Sequence, residues 1–236
     1  MSAFHRMLTP GLMVVAALTG SAFLSVAAAQ RASARAPAAS LDRPVSPTKT
    51  PGPDGFIQRW LILEPIPRNG QLTDGAVQAA VKNEYFPNQF TVIPHDRDKV
   101  TVGGAELTWH AVDTIEYNVN LYHFAYALRK PTSNVLFWAV TVVNSPREMA
   151  GVRLAIGSNA ASVWWVNGNE VIAIYNDRQT VIDDGVSKRL PLHKGPNVVR
   201  VAVINAGGAT DFCARFLDGE NNPVKWITVT LNESGR

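Results

Sequence analysis

The chain has 236 residues, 46% of them hydrophobic, with one cysteine and a formal net charge of +3. The positive excess lies wholly before Gly55, in Arg6, Arg31, Arg35, Arg43 and Lys49 against Asp42 and Asp54. The remainder is neutral and has no basic run, which excludes the electrostatic footprint of a nucleic-acid binder. The single cysteine, Cys213, excludes an intramolecular disulfide and leaves stability to packing.

At the start of the chain, His5 and Arg6 precede a long apolar run that closes on Ala27-Ala28-Ala29. The run nearly reaches the length of a membrane span. Pro10, Gly11 and the small-residue end fit a removed secretory signal better, with residues 1–29 cleaved after Ala29. Residues 30–54 are rich in Ala, Pro, Ser and Thr and almost lack large apolar side chains, so they read as a disordered linker. Residues 55–232 then form one domain, exported and without a membrane span after signal cleavage.

Inside that domain, "FIQRWLILEPI" opens with an apolar strand stopped by Pro65 and Pro67. "TDGAVQAAVKNEYF" is the one helical candidate, with Thr73 or Asp74 as cap and Val77, Ala80 and Val81 at helical spacing. "AELTWHAVD", "NLYHFAYALRK" and "NVLFWAVTVVNSP" read as strands. In "GVRLAIG", Val152, Leu154 and Ile156 share a face. "SVWWVNGNEVIAIY" is a hairpin, because Asn167-Gly168 between apolar strand formers suits a type I′ turn. The rings of Trp164 and Trp165 must therefore point to opposite faces of one strand.

Pro191 marks "KRLPLHK" as an edge strand. "NVVRVAVIN" alternates, Val199, Val201 and Val203 opposing Val198, Arg200 and Ala202. "TDFCARFLDG" and "VKWITVTL" complete the series. Strand follows strand with no βα alternation, so the expected fold is an all-β jelly-roll sandwich of about ten strands with one short helix. Cys213, within a strand and beside no acid–base partner, is expected to be a small buried hydrophobe.

Several elements recur as a frame: Gly157-Ser158, Trp165-Val166-Asn167-Gly168, Leu192-His193-Lys194-Gly195-Pro196-Asn197 and Arg215-Phe216. In this order they resemble galactose-binding-like modules, related in pattern to PA14 domains of secreted carbohydrate-active proteins. The resemblance covers most of the domain and implies a jelly roll that binds sugar. It also implies that Trp165 belongs to the frame and is packed, leaving Trp164 for function or for a second packing layer. Many such modules continue the Gly-Ser with two acids and a Gly, which in PA14-type domains hold calcium at the sugar site. This chain has Asn159-Ala160-Ala161 there, one amide oxygen and no charge, which falls short of a calcium ligand set. A structural calcium is thus allowed but not indicated, and no cofactor is expected.

Tests for catalytic chemistry give little. There is no Gly-x-Ser-x-Gly elbow, no Gly-rich phosphate loop and no histidine pair at metal-ligand spacing. His95, Asp96 and Asp98 lie together in "PHDRDK", a pattern more typical of a solvated loop than of a metal site. Sugar binding instead calls for aromatic rings with amides, carboxylates and guanidinium groups around them. The candidates are Trp109, Asn159, Trp164, Tyr175, Asp177, Arg178 and Asp183. The expected function is an exported, non-catalytic module for carbohydrate or a glycosylated surface. A carbohydrate-active esterase or glycosidase is one alternative, and a periplasmic or cell-surface protein-interaction module is another.

Overall fold

A computed structural model describes residues 42–69 and 72–232. The expected signal peptide and the first part of the expected linker lie outside these residues. Strands β1 (Arg59–Leu63) and β2 (Ile66–Pro67) precede helix α1 (Asp74–Lys82). Strands β3 (Lys99–Val102), β4 (Ala105–Asp113) and β5 (Val119–Asn120) lead to helix α2 (Leu121–Ala127). The chain continues through β6 (Val135–Ser145), β7 (Met149–Ser158), β8 (Ala161–Val166) and β9 (Asn169–Ile174). Strands β10 (Gly185–Val186), β11 (Leu190–Leu192), β12 (Gly195–Asn205), β13 (Asp211–Leu217) and β14 (Thr228–Thr230) complete it.

The larger sheet runs β3-β4-β1-β6-β12-β8-β9, with β2 and β14 also pairing along β6. The smaller runs β10-β7-β13-β5, with β11 added to β7. Every pairing is antiparallel. The result is an all-β jelly-roll sandwich. Its strand count exceeds ten because β2, β5, β10, β11 and β14 are pieces of two or three residues.

Strand alternation builds two hydrophobic layers. Between the sheets, Trp60, Phe137, Trp164, Val199, Val201 and Val203 of the larger sheet meet Val152, Leu154, Ile156, Phe212 and Phe216 of the smaller. The opposite face of the larger sheet carries Leu61, Trp109, Trp138, Val163 and Trp165 and is equally buried. It is covered by Val77, Ala80 and Val81 of α1 and by Phe86 and Phe90 beyond it. A third layer thus lies over the sandwich, which explains why both faces of β8 are apolar.

Helix α1 forms as its pattern predicts: Thr73 is the N-cap, its Oγ1 accepting from the Ala76 N–H at 3.4 Å, and Val77, Ala80 and Val81 are buried. Helix α2 replaces part of the strand expected at "NLYHFAYALRK". The Asn120 side chain accepts from the His123 N–H at 2.7 Å, while Leu121, Phe124 and Ala125 are buried at helical spacing. A local cap and an i, i+3, i+4 stripe outweigh the aromatic content that suggested a strand.

The stretch expected as linker also differs over its described part, residues 42–54. Lys49 and Val229 exchange both backbone hydrogen bonds, at 2.9 and 2.7 Å. The buried Arg59 guanidinium donates to the Ser46 carbonyl at 2.8 Å. Polar composition misleads here because the segment is held by backbone bonds and one buried arginine, which need no large apolar side chains.

Candidate functional site

The hairpin that opens the site is built as its sequence demands. Asn167 (φ 49°) and Gly168 (φ 81°) both occupy the left-handed region, and β8 and β9 pair from Val166–Asn169 outward. Trp164 is fully buried between the sheets, its ring edge-on to Trp60 and Phe212 and its Nε1 donating to Ser162 Oγ at 3.0 Å. Trp165 points to the other layer, stacked on Trp138 with ring centroids 5.4 Å apart. Trp109 is buried beside Phe86 in that same layer. Neither Trp109 nor Trp164 therefore presents a ring to a ligand. Both expectations are corrected: Trp164 is packed between the two sheets, and Trp109 is packed under the layer that covers the other face of the larger sheet.

The remaining candidates gather at one end of the sandwich. The turn from β7 to β8 passes through Asn159 and Ala160, the latter at φ 96°, a conformation that L residues rarely adopt. Asn159 donates its backbone N–H to the Asp211 carbonyl at 2.8 Å, and its side-chain amide reaches the Arg178 and Ala209 carbonyls. Its amide nitrogen thus serves the loop. Gly157 is required on steric grounds, since a Cβ there would sit 2.3 Å from the Val181 carbonyl oxygen. This close approach presses the long loop between β9 and β10 against the turn.

Two ion pairs fasten that loop. Arg215 binds Asp183, with Nε to Oδ1 at 3.0 Å, and Arg178 binds Asp184. Asp183 and Arg178 were expected at a binding site, but their charges are engaged in holding the loop. Asp211, at the start of β13, accepts from Asn118 and Thr180 and ties the same loop to the smaller sheet.

Between this end and α1 lies a cleft of about 220 Å³. Its floor is Ala160, Ala161, Ile204 and Val77, and Tyr175 forms a wall. Asp177, in the loop after β9, and Asp74, in the first turn of α1, both line it. Both carboxylates are exposed and have no hydrogen-bond or ion-pair partner among the described residues. Among the described residues, no lysine or arginine lines the cleft. On the far side of Tyr175, Lys82 lies 5.8 Å from the ring centroid and 3.2 Å from Glu170. Contact with Tyr175 first, and with Glu170 second, raises the Lys82 ammonium above its ordinary value.

Tyr175 and Asp177, then, are brought to the cleft, and Asn159 supports its edge through the turn. Asp74 escaped sequence reasoning, which saw only a helix cap. Its helical first-turn position was legible, but its partner in the cleft lies about a hundred residues away in sequence and is set by tertiary packing alone.

The chemistry available is hydrogen-bond acceptance from hydroxyl or ammonium groups beside one aromatic wall. Ser158, buried, donates instead to the Ala160 carbonyl at 3.2 Å. Cys213 is buried on β13, and desolvation pushes its thiol up to about 12. In the "PHDRDK" loop, Asp96 accepts from the Ala111 N–H at 2.8 Å and Asp98 from the His95 N–H at 2.7 Å, so both carboxylates shape the turn.

No family model matches the chain, and no curated protein matches it. Among solved structures, it is similar to a PA14 sugar-binding domain from an RTX adhesin, with a TM-score of 0.41 and 13% identity over 72% of this chain and 96% of that one. It is also similar to the epithelial adhesin 9 A domain from Candida glabrata in complex with Galb1-4GlcNAc, with a TM-score of 0.38 and 12% identity over 84% and 99%. For the β-glucosidase from Kluyveromyces marxianus the TM-score is 0.39 and the identity 20%, over 52% of this chain and 16% of the enzyme. At these TM-scores the likeness carries neither a site nor a ligand across. No helix among the described residues is long and apolar enough to cross a membrane.

Proposed function

We propose that the domain is an exported, non-catalytic module that binds a carbohydrate, or a glycosylated surface, in the cleft between α1 and the loop after β9. The observation that carries this reading is the pairing of two unengaged carboxylates, Asp74 and Asp177, with the Tyr175 wall over an apolar floor. Sugars offer hydroxyl donors on their rims and C–H groups on their faces, and such a cleft complements both. Its volume lies below the ~300 Å³ at which drug-sized pockets begin, which suits one sugar ring rather than a long chain. The order of Gly-Ser, Trp-x-Asn-Gly and Arg-Phe elements in the sequence supports the same reading.

The test is a glycan array with the full chain, in calcium and in chelator. Saturable binding that chelator leaves unchanged is expected, lost about tenfold or more in Tyr175→Ala and in Asp177→Asn. Both side chains are at least partly exposed, so these variants should fold. Absence of saturable glycan binding would sink the reading, and turnover of acetylated or nitrophenyl sugars would replace it with a hydrolase.

A further inference from the structure

Six tryptophans occur in the chain. Five are buried, with at most 7% exposure, and Trp226 alone is open, at 41%. It sits just before β14, at the end of β6 remote from the cleft. The Arg147 guanidinium lies over its ring at 4.7 Å from the centroid, and Pro146 completes a shallow, open hollow.

The charge at this hollow is one-sided. Glu148 is the acid nearest to Arg147 in sequence, but its carboxylate is turned to the β11–β12 connection. It accepts from the Lys194 N–H at 2.9 Å and meets His193 Nδ1 at 2.9 Å. These contacts, the Lys194 bond foremost, hold Glu148 below the usual carboxylate range. Arg147 is left without a carboxylate, and the exposed Lys225, preceding Trp226, has no partner among the described residues either. An open indole beside unpaired cations suits a ring with an apolar C–H face and a negative substituent.

We infer that Trp226, with Arg147, forms a second glycan-binding site, specific for sugar chains that carry carboxylate or sulfate groups. The part of the indole that Arg147 leaves uncovered stacks on the sugar face, and the guanidinium binds the anionic group, for which its planar fork of donors is suited. The site stands apart from the cleft. Strand β6 has 11 residues between Val135, opposite Asn205 of the cleft, and Ser145, beside Pro146. At ~3.3 Å per residue its ten steps put the two sites roughly 33 Å apart.

Affinity electrophoresis of the full chain in polygalacturonate, dextran sulfate and unmodified dextran tests the assignment. Retardation by at least one polyanion but not by dextran is expected, and the arm that retards identifies carboxylate or sulfate as the ligand group. Trp226→Ala should weaken that binding about tenfold or more, and Arg147→Gln should weaken it in parallel. Because Trp226 is the one open indole, the polyanion should also shield the fraction of tryptophan fluorescence that acrylamide quenches. Retention of wild-type binding in Trp226→Ala, equal retardation by dextran, or no retardation by either polyanion would overturn the inference. Both substitutions lie on exposed residues remote from the cleft, so glycan-array binding through Tyr175 and Asp177 should be unchanged by them. Failure of one site is thereby distinguished from failure of the other.

Discussion

Burial decides the role of individual residues more than residue type does. Arg59 is 1% exposed and is satisfied by Asp113, with Nε to Oδ1 and Nη2 to Oδ2 both at 2.8 Å, and by the Ser46 carbonyl. Removing one partner of a buried pair leaves a charge that water cannot reach. Asp113→Asn should therefore cost about 3 kcal/mol, read as a lower urea midpoint with unchanged m. Cys213 illustrates the opposite outcome, a thiol kept neutral by desolvation. Its folded pKa of about 12 lies above the unfolded value near ~8.5. The unfolded chain thus loses this proton first as pH rises. The contribution to stability is fully present below about pH 8 and is lost progressively as pH climbs toward 12. In thiol titration at pH 8 the native protein should stay almost unlabelled, and the denatured protein should react with one equivalent. Rapid native labelling would show that the β13 environment opens.

At the scale of elements, the turn from β7 to β8 and the helix α1 hold the cleft from its two sides. Gly157→Ala places a Cβ against the Val181 carbonyl, a backbone atom that can move only if the loop after β9 lifts. The expected outcome is a lower Tm together with loss of glycan binding, since Tyr175 and Asp177 ride on that segment. Thr73→Ala removes an exposed N-cap with a long 3.4 Å bond, so about 0.5–1 kcal/mol is expected, at the low end for caps. The hairpin and α1 were readable in sequence because turn chemistry and 3.6-residue periodicity are local. Helix α2 was not read, since its aromatic residues favour strands intrinsically and mask the local Asn120 cap and the Leu121, Phe124, Ala125 stripe, which docking beside Thr210 reinforces. The carbonyl of Thr210 accepts from both the Leu121 and Tyr122 N–H groups, at 2.8 and 3.0 Å.

For the whole molecule, the third layer is the decisive feature. It converts what composition suggests, a sandwich with a wet outer face, into a sheet buried on both sides. Trp164→Ala and Trp165→Ala, though on opposite faces, should both destabilise by about 3–5 kcal/mol, because each empties a packed layer. A Trp165→Ala cost below about 1 kcal/mol would show the outer layer to be loose. The segment from Asp42 to Asp54 adds a bridge to Val229 and a partner to Arg59. A chain cut before Gly55 should accordingly be less stable than one beginning at Asp42, by about 2 kcal/mol or more for the lost bonds to a buried charged group.

The sequence by itself determined the all-β class, the β8–β9 hairpin, the shared faces of Val152, Leu154 and Ile156 and of Val199, Val201 and Val203, and the burial of Cys213. These follow from period-2 alternation and from turn residues whose backbone freedom is a local property. It also placed Tyr175 and Asp177 in one loop. Only the tertiary structure decided that Trp109 and Trp164 are core, that Arg178 and Asp183 fasten a loop, and that Asp74 and Asp177 line one cleft. It alone left Trp226 open beside Arg147. The reason is physical: exposure and pairing depend on which distant segments pack against a residue, and no local pattern encodes them. The tryptophans beside the Asn-Gly turn look alike in sequence, and packing, not identity, assigned each to its layer.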